Sequence, residues 1–281
     1  MKTILVPTDF SKAAQWAFET ALNIARIVKG ELVLLHVVEE LSDQSFNVEG
    51  QIDDEDGWEN KIFTLKLLKR NRAQLESLVS IAAEHGVRVK TALRIGNPFH
   101  GIRTLITEHR ANLVVMGTTG HTKFEEMVIG STAEKVVRYA KCPVLTVHEK
   151  PSLQKCRNIV YATNLSDGEV EFAEVVRNVQ RMSNAVIHVV RVNTPMNFQP
   201  DYITKRVMRT FINRLLLENY TVNTFNDITE EDGIIRFAAE VNADLIVMAT
   251  HGRTGFAQIL VGSIAEGVSN HASKPVLTYR I

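Results

Sequence analysis

One stretch of this chain occurs twice. The segment Asn112 to Val147, NLVVMGTTGHTKFEEMVIGSTAEKVVRYAKCPVLTV, returns as DLIVMATHGRTGFAQILVGSIAEGVSNHASKPVLTY from Asp244 to Tyr279, gap-free at an offset of 132 residues. Nearer the start, Ile4 to Ser11 (ILVPTDFS) returns as Ile159 to Ser166 (IVYATNLS) at an offset of 155. A repeat on this scale means one folding unit built twice. It divides the chain into a first copy, residues 1–150, and a second, residues 156–281. The offsets differ by 23, so the first copy carries about that many extra residues in its middle. The acidic stretch 39–59, EELSDQSFNVEGQIDDEDGWE, is the place for them and reads as a solvated loop between a strand and a helix.

Within each copy the hydrophobic pattern alternates between two periods. In the first copy Ile4–Pro7, Leu32–Val38, Val87–Ile95, Leu113–Met116 and Val144–Val147 are short runs of the kind buried parallel strands show. Between the first two runs, Ala14, Ala17, Phe18, Ala21, Ile24, Ala25 and Val28 recur at helical spacing, and Gly30 marks the stop. Ile62, Leu65, Leu68, Leu75, Val79 and Ala82 predict a long helix ended by Gly86, and Ile102, Leu105 and Ile106 a shorter one after Gly96-Asn97-Pro98. Strand and helix in alternation mean an α/β fold, an open parallel sheet with helices on both faces. Such sheets hold ligands at the carboxyl ends of the strands, where the strand order reverses.

Composition narrows the class. At 281 residues the chain has room for two domains, and 45% apolar with 23% charged residues is globular. With 32 basic and 32 acidic side chains there is no cationic excess for nucleic acid or an anionic membrane surface. MKTILVPTDF lacks the pattern of a signal peptide, and no apolar run reaches membrane-spanning length. The two cysteines, Cys142 and Cys156, have neither CxxC nor metal-ligand spacing, which suits a reducing cytoplasm.

The chemistry gathers after the fourth strand. Gly117, Gly120 and Gly130-Ser131 form the pattern G-x2-G-x9-G-S. Without a Cβ, backbone N–H groups can approach a phosphate closely, and a helix N-terminus after the loop adds attraction for an anion. The loop is neither a Walker P-loop nor a GxGxxG fingerprint. Ser131-Thr132-Ala133-Glu134 also reads as a capping box, repeated at Ser263-Ile264-Ala265-Glu266, and capping is compatible with phosphate contact. Asp9, at the end of the first strand, is placed to face Gly117 across the crevice and to accept a hydrogen bond from a sugar hydroxyl or an amine; the alternative is an N-cap for the helix starting near Ser11.

At these residues the chain resembles a tandem universal stress protein. VPTDFS, LLHVVE, IGNPF, MGTTGHT with IGSTAEKV, and CPVLTV carry the likeness over nearly the whole length. The resemblance implies the adenine-nucleotide α-hydrolase-like fold, two tandem five-stranded sheets of order 3-2-1-4-5, and ATP or AMP as ligand, with or without Mg. It implies that Pro7, Thr8, Asp9 and the backbone at Val37 meet the adenosine end. Gly117, Gly120, His121, Gly130, Ser131 and Thr132 would surround the phosphates, with Gly96 nearby. The second copy departs from this: Asn164 stands for Asp9, Ala249 for Gly117 and Ile228 for Gly96. Thr163, Asn164, Thr250, Gly252, Gly262 and Ser263 would then form a weaker second site.

No residue set marks catalysis. His121, Lys123 and Arg253 are the cations by the loops and read as solvated charges, and the other histidines show no ligand spacing. A regulatory nucleotide-binding module is the first reading; a slow ATP-hydrolysing or phosphoryl-transferring enzyme and a scaffold with vestigial sites stay open. Single-domain relatives pair through their last strands, so Val144–Val147 and Val276–Tyr279 could pair within one chain and cover a sheet edge. Association of two chains stays undecided.

Overall fold

In a computed structural model the described residues are 2–39, 56–118, 130–148, 156–250 and 261–281. The first half contributes β1 (Thr3–Pro7), α1 (Lys12–Val28), β2 (Glu31–Val38), α2 (Asp56–Glu84), β3 (Arg88–Ile95), α3 (Pro98–Glu108), β4 (Leu113–Gly117), α4 (Ser131–Tyr139) and β5 (Val144–Val147). The second half repeats the series with β6 (Asn158–Ala162), α5 (Glu169–Ser183), β7 (Val186–Asn193), α6 (Asp201–Leu215), β8 (Tyr220–Asn226), α7 (Glu230–Glu240), β9 (Leu245–Thr250), α8 (Val261–His271) and β10 (Val276–Arg280).

Local chemistry sets the helix ends. Ser11 caps α1 by accepting from the Ala14 N–H at 3.2 Å, and Asn97 and Thr229 cap α3 and α7 in the same way. Pro98 follows Asn97 in the first turn of α3, where its missing N–H costs nothing. Lys29 closes α1 in the left-handed conformation, its N–H reaching the carbonyls of Ala25 and Arg26.

Strand order in the first half is β3-β2-β1-β4-β5, all parallel, and the second half has the same order. The expected pair of five-stranded sheets is joined, through the pairing of last strands that the sequence allowed, into one sheet of ten strands. β5 and β10 pair antiparallel, with Leu277 opposite Leu145, Val276 opposite Thr146 and Thr278 opposite Val144. Side chains alternate across this seam, so its two faces differ. On one face Leu145 and Leu277 join a single core under α1, α2, α5 and α6 that reaches across both halves. On the other, Thr146 and Thr278 are fully buried, each hydroxyl donating to a carbonyl of the opposite strand (Val276 at 3.2 Å, Val144 at 3.4 Å). There the core splits into one cluster under α3 and α4 and another under α7 and α8. Arg138 of α4 and Glu266 of α8 form an ion pair at 3.1 Å between them.

The extra residues of the first half lie where the repeat places them, but not all in a loop. α2 runs for 29 residues and its counterpart α6 for 15, so part of the insertion lengthens a helix, and Asp56 to Glu59 of the acidic stretch belong to α2. Leu75 and Ala82 of α2 are buried, whereas Ile62 and Leu65, expected on its apolar side, are exposed. Among the described residues no helix is long and apolar enough to cross a membrane.

The leucine pair makes the seam sensitive to truncation. Leu277→Ala is expected to lower unfolding stability by about 2–5 kcal/mol, the range for an aliphatic side chain lost from a close-packed core. Urea denaturation followed by circular dichroism measures it, and an unshifted midpoint would contradict a core shared across the seam.

Candidate functional site

The carboxyl ends of β1, β2 and β4 open onto a cleft of about 530 Å³. Its walls include Pro7, Thr8 and Asp9 after β1, Val37 on β2, Gly117 and Thr118 after β4, and Gly130 to Ala133 at the start of α4. The structure therefore brings together Pro7, Thr8, Asp9, Val37, Gly117, Gly130, Ser131 and Thr132. Gly96 turns the chain at φ +121° behind this wall, a conformation that asks for glycine. Gly120, His121 and Lys123 lie outside the described residues, as do Gly252 and Arg253. The side chains of Gly262 and Ser263 are likewise outside them.

The turn after β1 is built by its own side chains. Phe10 sits at φ +63°, rare for a residue with a Cβ, and Leu165 repeats this at +67°. The Phe10 N–H donates to Thr8 Oγ1 at 3.0 Å and the Ser11 N–H to Asp9 Oδ1 at 2.9 Å. In the second half the Leu165 N–H reaches Thr163 Oγ1 at 2.9 Å and the Ser166 N–H reaches Asn164 Oδ1 at 3.0 Å. Asp9 is thus not the N-cap of α1, a place held by Ser11. Asn164 keeps the turn and changes only the remaining atom, from a carboxylate oxygen to an amide nitrogen.

Each glycine of the motif answers to a different demand. A Cβ on Gly117 would lie 2.7 Å from the Ala13 carbonyl carbon and 2.9 Å from the Ala14 nitrogen, so the close approach here is to α1. In the second half α5 starts at Glu169, two positions later than the α1 start transferred at offset 155, and Ala249 is accommodated. Among the described residues Gly130 meets no such neighbour: a Cβ would find only the Thr118 carbonyl oxygen, at 3.6 Å, and its φ of −64° suits any residue. Gly130 is itself the N-cap of α4, with no side chain capping the helix, and Ser131 is the first helical residue. The capping-box expectation is corrected here, and at Ser263, which lies inside α8. An uncapped helix start directs its N–H groups and partial positive charge at whatever lies in front of it.

Three further residues shape the cleft that periodicity did not single out. His36 on β2 donates from Nδ1 to the Thr8 carbonyl at 2.7 Å, which leaves Nε2 to accept from Asn71 Nδ2 of α2 at 2.8 Å. Phe10 packs on the imidazole with ring centroids 4.6 Å apart. Together they tie the turn to β2 and α2. Strand residues at odd spacing and a polar residue on a long helix give no sequence signal for such a contact.

The second half presents a smaller cleft, of about 90 Å³, lined by Thr163, Asn164, Glu169, Arg191, Asn197 and Glu230 among others. Thr250 is buried at the end of β9. Glu169, 1% exposed, stands at the offset-155 position of Ala14. It accepts from the Tyr161 hydroxyl at 2.6 Å, Thr163 Oγ1 at 3.0 Å and the Ser166 N–H at 3.1 Å. Burial pushes its carboxyl above the ordinary carboxylate range, more than these donors lower it. The Gly96 counterpart also changes. Asp227, not Ile228, donates its N–H to Asn193 as Gly96 does to Val38, and one extra residue precedes α7. Asp227 is ion-paired with Arg236 at 3.1 Å, and Ile228 is exposed. Among the described residues no cluster of His, Cys, Asp and Glu could hold a metal.

Comparison with known proteins matches residues 1–148 and 226–280 to the model of the universal stress protein family. A universal stress protein of Methanocaldococcus jannaschii is 34% identical over 150 residues, 53% of this chain and 83% of that one. A second from the same organism is 28% identical over 158 residues, 54% of this chain and 97% of that one. Among solved structures, a universal stress protein from Archaeoglobus fulgidus superposes with a TM-score of 0.73 at 20% identity, covering 99% of this chain and 98% of that one. One from Pseudomonas aeruginosa, described as putative, gives 0.70 at 19% identity, over 100% and 93%. At those identities the two structures speak to the fold.

Two outcomes test this geometry. Gly117→Ala drives a methyl group into the backbone of α1 and is expected to lower stability by about 1–3 kcal/mol, read by thermal melting without ligand; an unchanged melting temperature would mean α1 does not pack there. The second concerns Glu169. With its folded value above the ordinary 4.5, the folded chain binds this proton more readily than the unfolded one. Its contribution to stability is full in acid and falls as pH rises through the folded value. The melting temperature of Glu169→Gln relative to the parent should therefore climb from pH 4.5 toward neutrality. A pH-independent difference would contradict the burial assigned to the carboxyl.

Proposed function

The chain belongs to the universal stress protein family, and from that premise we propose that its first half holds an adenine nucleotide, ATP or AMP, as a regulatory binding module. The observation that carries the reading is Gly130. Among the described residues neither backbone conformation nor packing asks for glycine there, which supports a bareness that serves what lies in the cleft. Beside it are the uncapped start of α4 for phosphate and, across the cleft, Asp9 for a ribose hydroxyl or an amine. A volume of about 530 Å³ suits a ligand of nucleotide size. The alternating β/α sheet supports the same place, since Asp9 and Gly117 end adjacent strands at the point where the order reverses.

The test is a melting experiment with ATP and with AMP. At a ligand concentration of about 100 times Kd, binding adds about 2.7 kcal/mol to the folded state, which for domains of this size is a shift of several degrees. Gly130→Val is expected to melt like the parent without ligand and to lose the ligand-induced shift, and Asp9→Ala to weaken it at least tenfold. No shift in the parent at millimolar ATP and AMP, or an equal shift in Gly130→Val, would sink the reading.

A further inference from the structure

The two halves differ in a linked pair of residues at the heart of the cleft. In the first half Val6 lies on β1 and Ala14 on α1, and Ala14 lines the large cleft. At offset 155 their counterparts are Tyr161 on β6 and Glu169 on α5. The change is compensated within itself, because the Tyr161 hydroxyl donates to the Glu169 carboxyl. Thr163, which has the same partner in its turn as Thr8, uses its hydroxyl proton on Glu169 as well. Three donors fix the carboxyl of Glu169, a residue 1% exposed, at the wall of the second cleft.

We infer that Glu169 closes the second half to nucleotide, so that the chain carries one nucleotide and not two. The inference rests on the reading that the first half binds one. In the first cleft the place is a methyl group beside Gly117 and the start of α4. In the second, phosphates would come against a buried carboxyl that already accepts from three protein donors. An anion brought there finds those three donors already spent, and where the carboxyl is ionised it is repelled with little water to screen it. A second acid reinforces this: Glu230, at the start of α7, lines the same cleft and is held by Asn197 Nδ2 at 2.6 Å. Arg191, the one cation among the described residues that line that cleft, donates to Gln199 at 3.0 Å. Closure of the second half thus comes from specific added residues, Tyr161 and Glu169, more than from the loss of a glycine.

Equilibrium dialysis of the full chain with ATP tests it, comparing the parent with Glu169→Ala and with Tyr161→Phe/Glu169→Ala. The double variant removes the hydroxyl that the single one would strand in the core, and near-ultraviolet circular dichroism confirms that each is folded. The expected result is one equivalent of ATP on the parent and two on the double variant, with one remaining when Gly130→Val is added. Two equivalents on the parent, or one on the double variant, overturns the role of Glu169 and leaves the first site standing. No binding to the parent defeats the reading of the first half. In that case one equivalent on the double variant upholds the role of Glu169, and none overturns it.

Discussion

The pairing of β5 with β10 is the contact on which the rest of the molecule depends. Each half ends in a short strand whose outer edge would otherwise present unpaired N–H and C=O groups. Antiparallel pairing satisfies both edges and places Leu145 against Leu277, so that one core runs beneath α1, α2, α5 and α6. The reciprocal bonds from Thr146 and Thr278 fill the other face with polar groups that are satisfied, and there the cores stay apart. One seam, apolar on one side and hydrogen-bonded on the other, makes a single sheet from two copies. Because the pairing is antiparallel, the carboxyl ends of the two halves point in opposite directions, and the two clefts open at opposite ends of the sheet.

With the frame shared, the difference between the halves lies in a few side chains. The turn that carries Asp9 and Asn164 is the same object twice, with the same positive φ and the same pair of side-chain acceptors. What differs is what surrounds it. Ala14 leaves room, and Gly117 lets α1 come down on β4. Tyr161 and Glu169 occupy the corresponding region of the second half with buried, mutually bonded polar groups, and Asp227, ion-paired with Arg236, takes the place of Gly96. A repeat that needs two copies for its core needs only one of them to keep an open site.

The fold was legible because its signals are additive. Eight or ten residues at period two or 3.6 overdetermine a strand or helix, and the repeat supplied each element twice. That β1 lies beside β4, so that Asp9 and Gly117 line one cleft, follows from the strand order. What escaped were matters settled by single contacts between distant positions. At Gly117 sequence cannot tell a backbone kept bare for a ligand from one kept bare for a helix; in the structure Gly117 lines the cleft and α1 also packs on it. Glu169 carries no signal of its own in the sequence, since its burial depends on Tyr161 eight residues earlier and on the late start of α5. The equation of Gly96 with Ile228 failed by one position, because a single residue inserted before α7 moves Asp227 into the place.

The central claim is that two halves with one architecture offer one open cleft. Hydrogen–deuterium exchange with and without ATP reads both halves in a single sample. The account predicts slowed exchange at residues 7–11, 117–118 and 130–133, with 162–169 and 249–250 unchanged. Equal protection at both sets, or protection confined to the second, would contradict it.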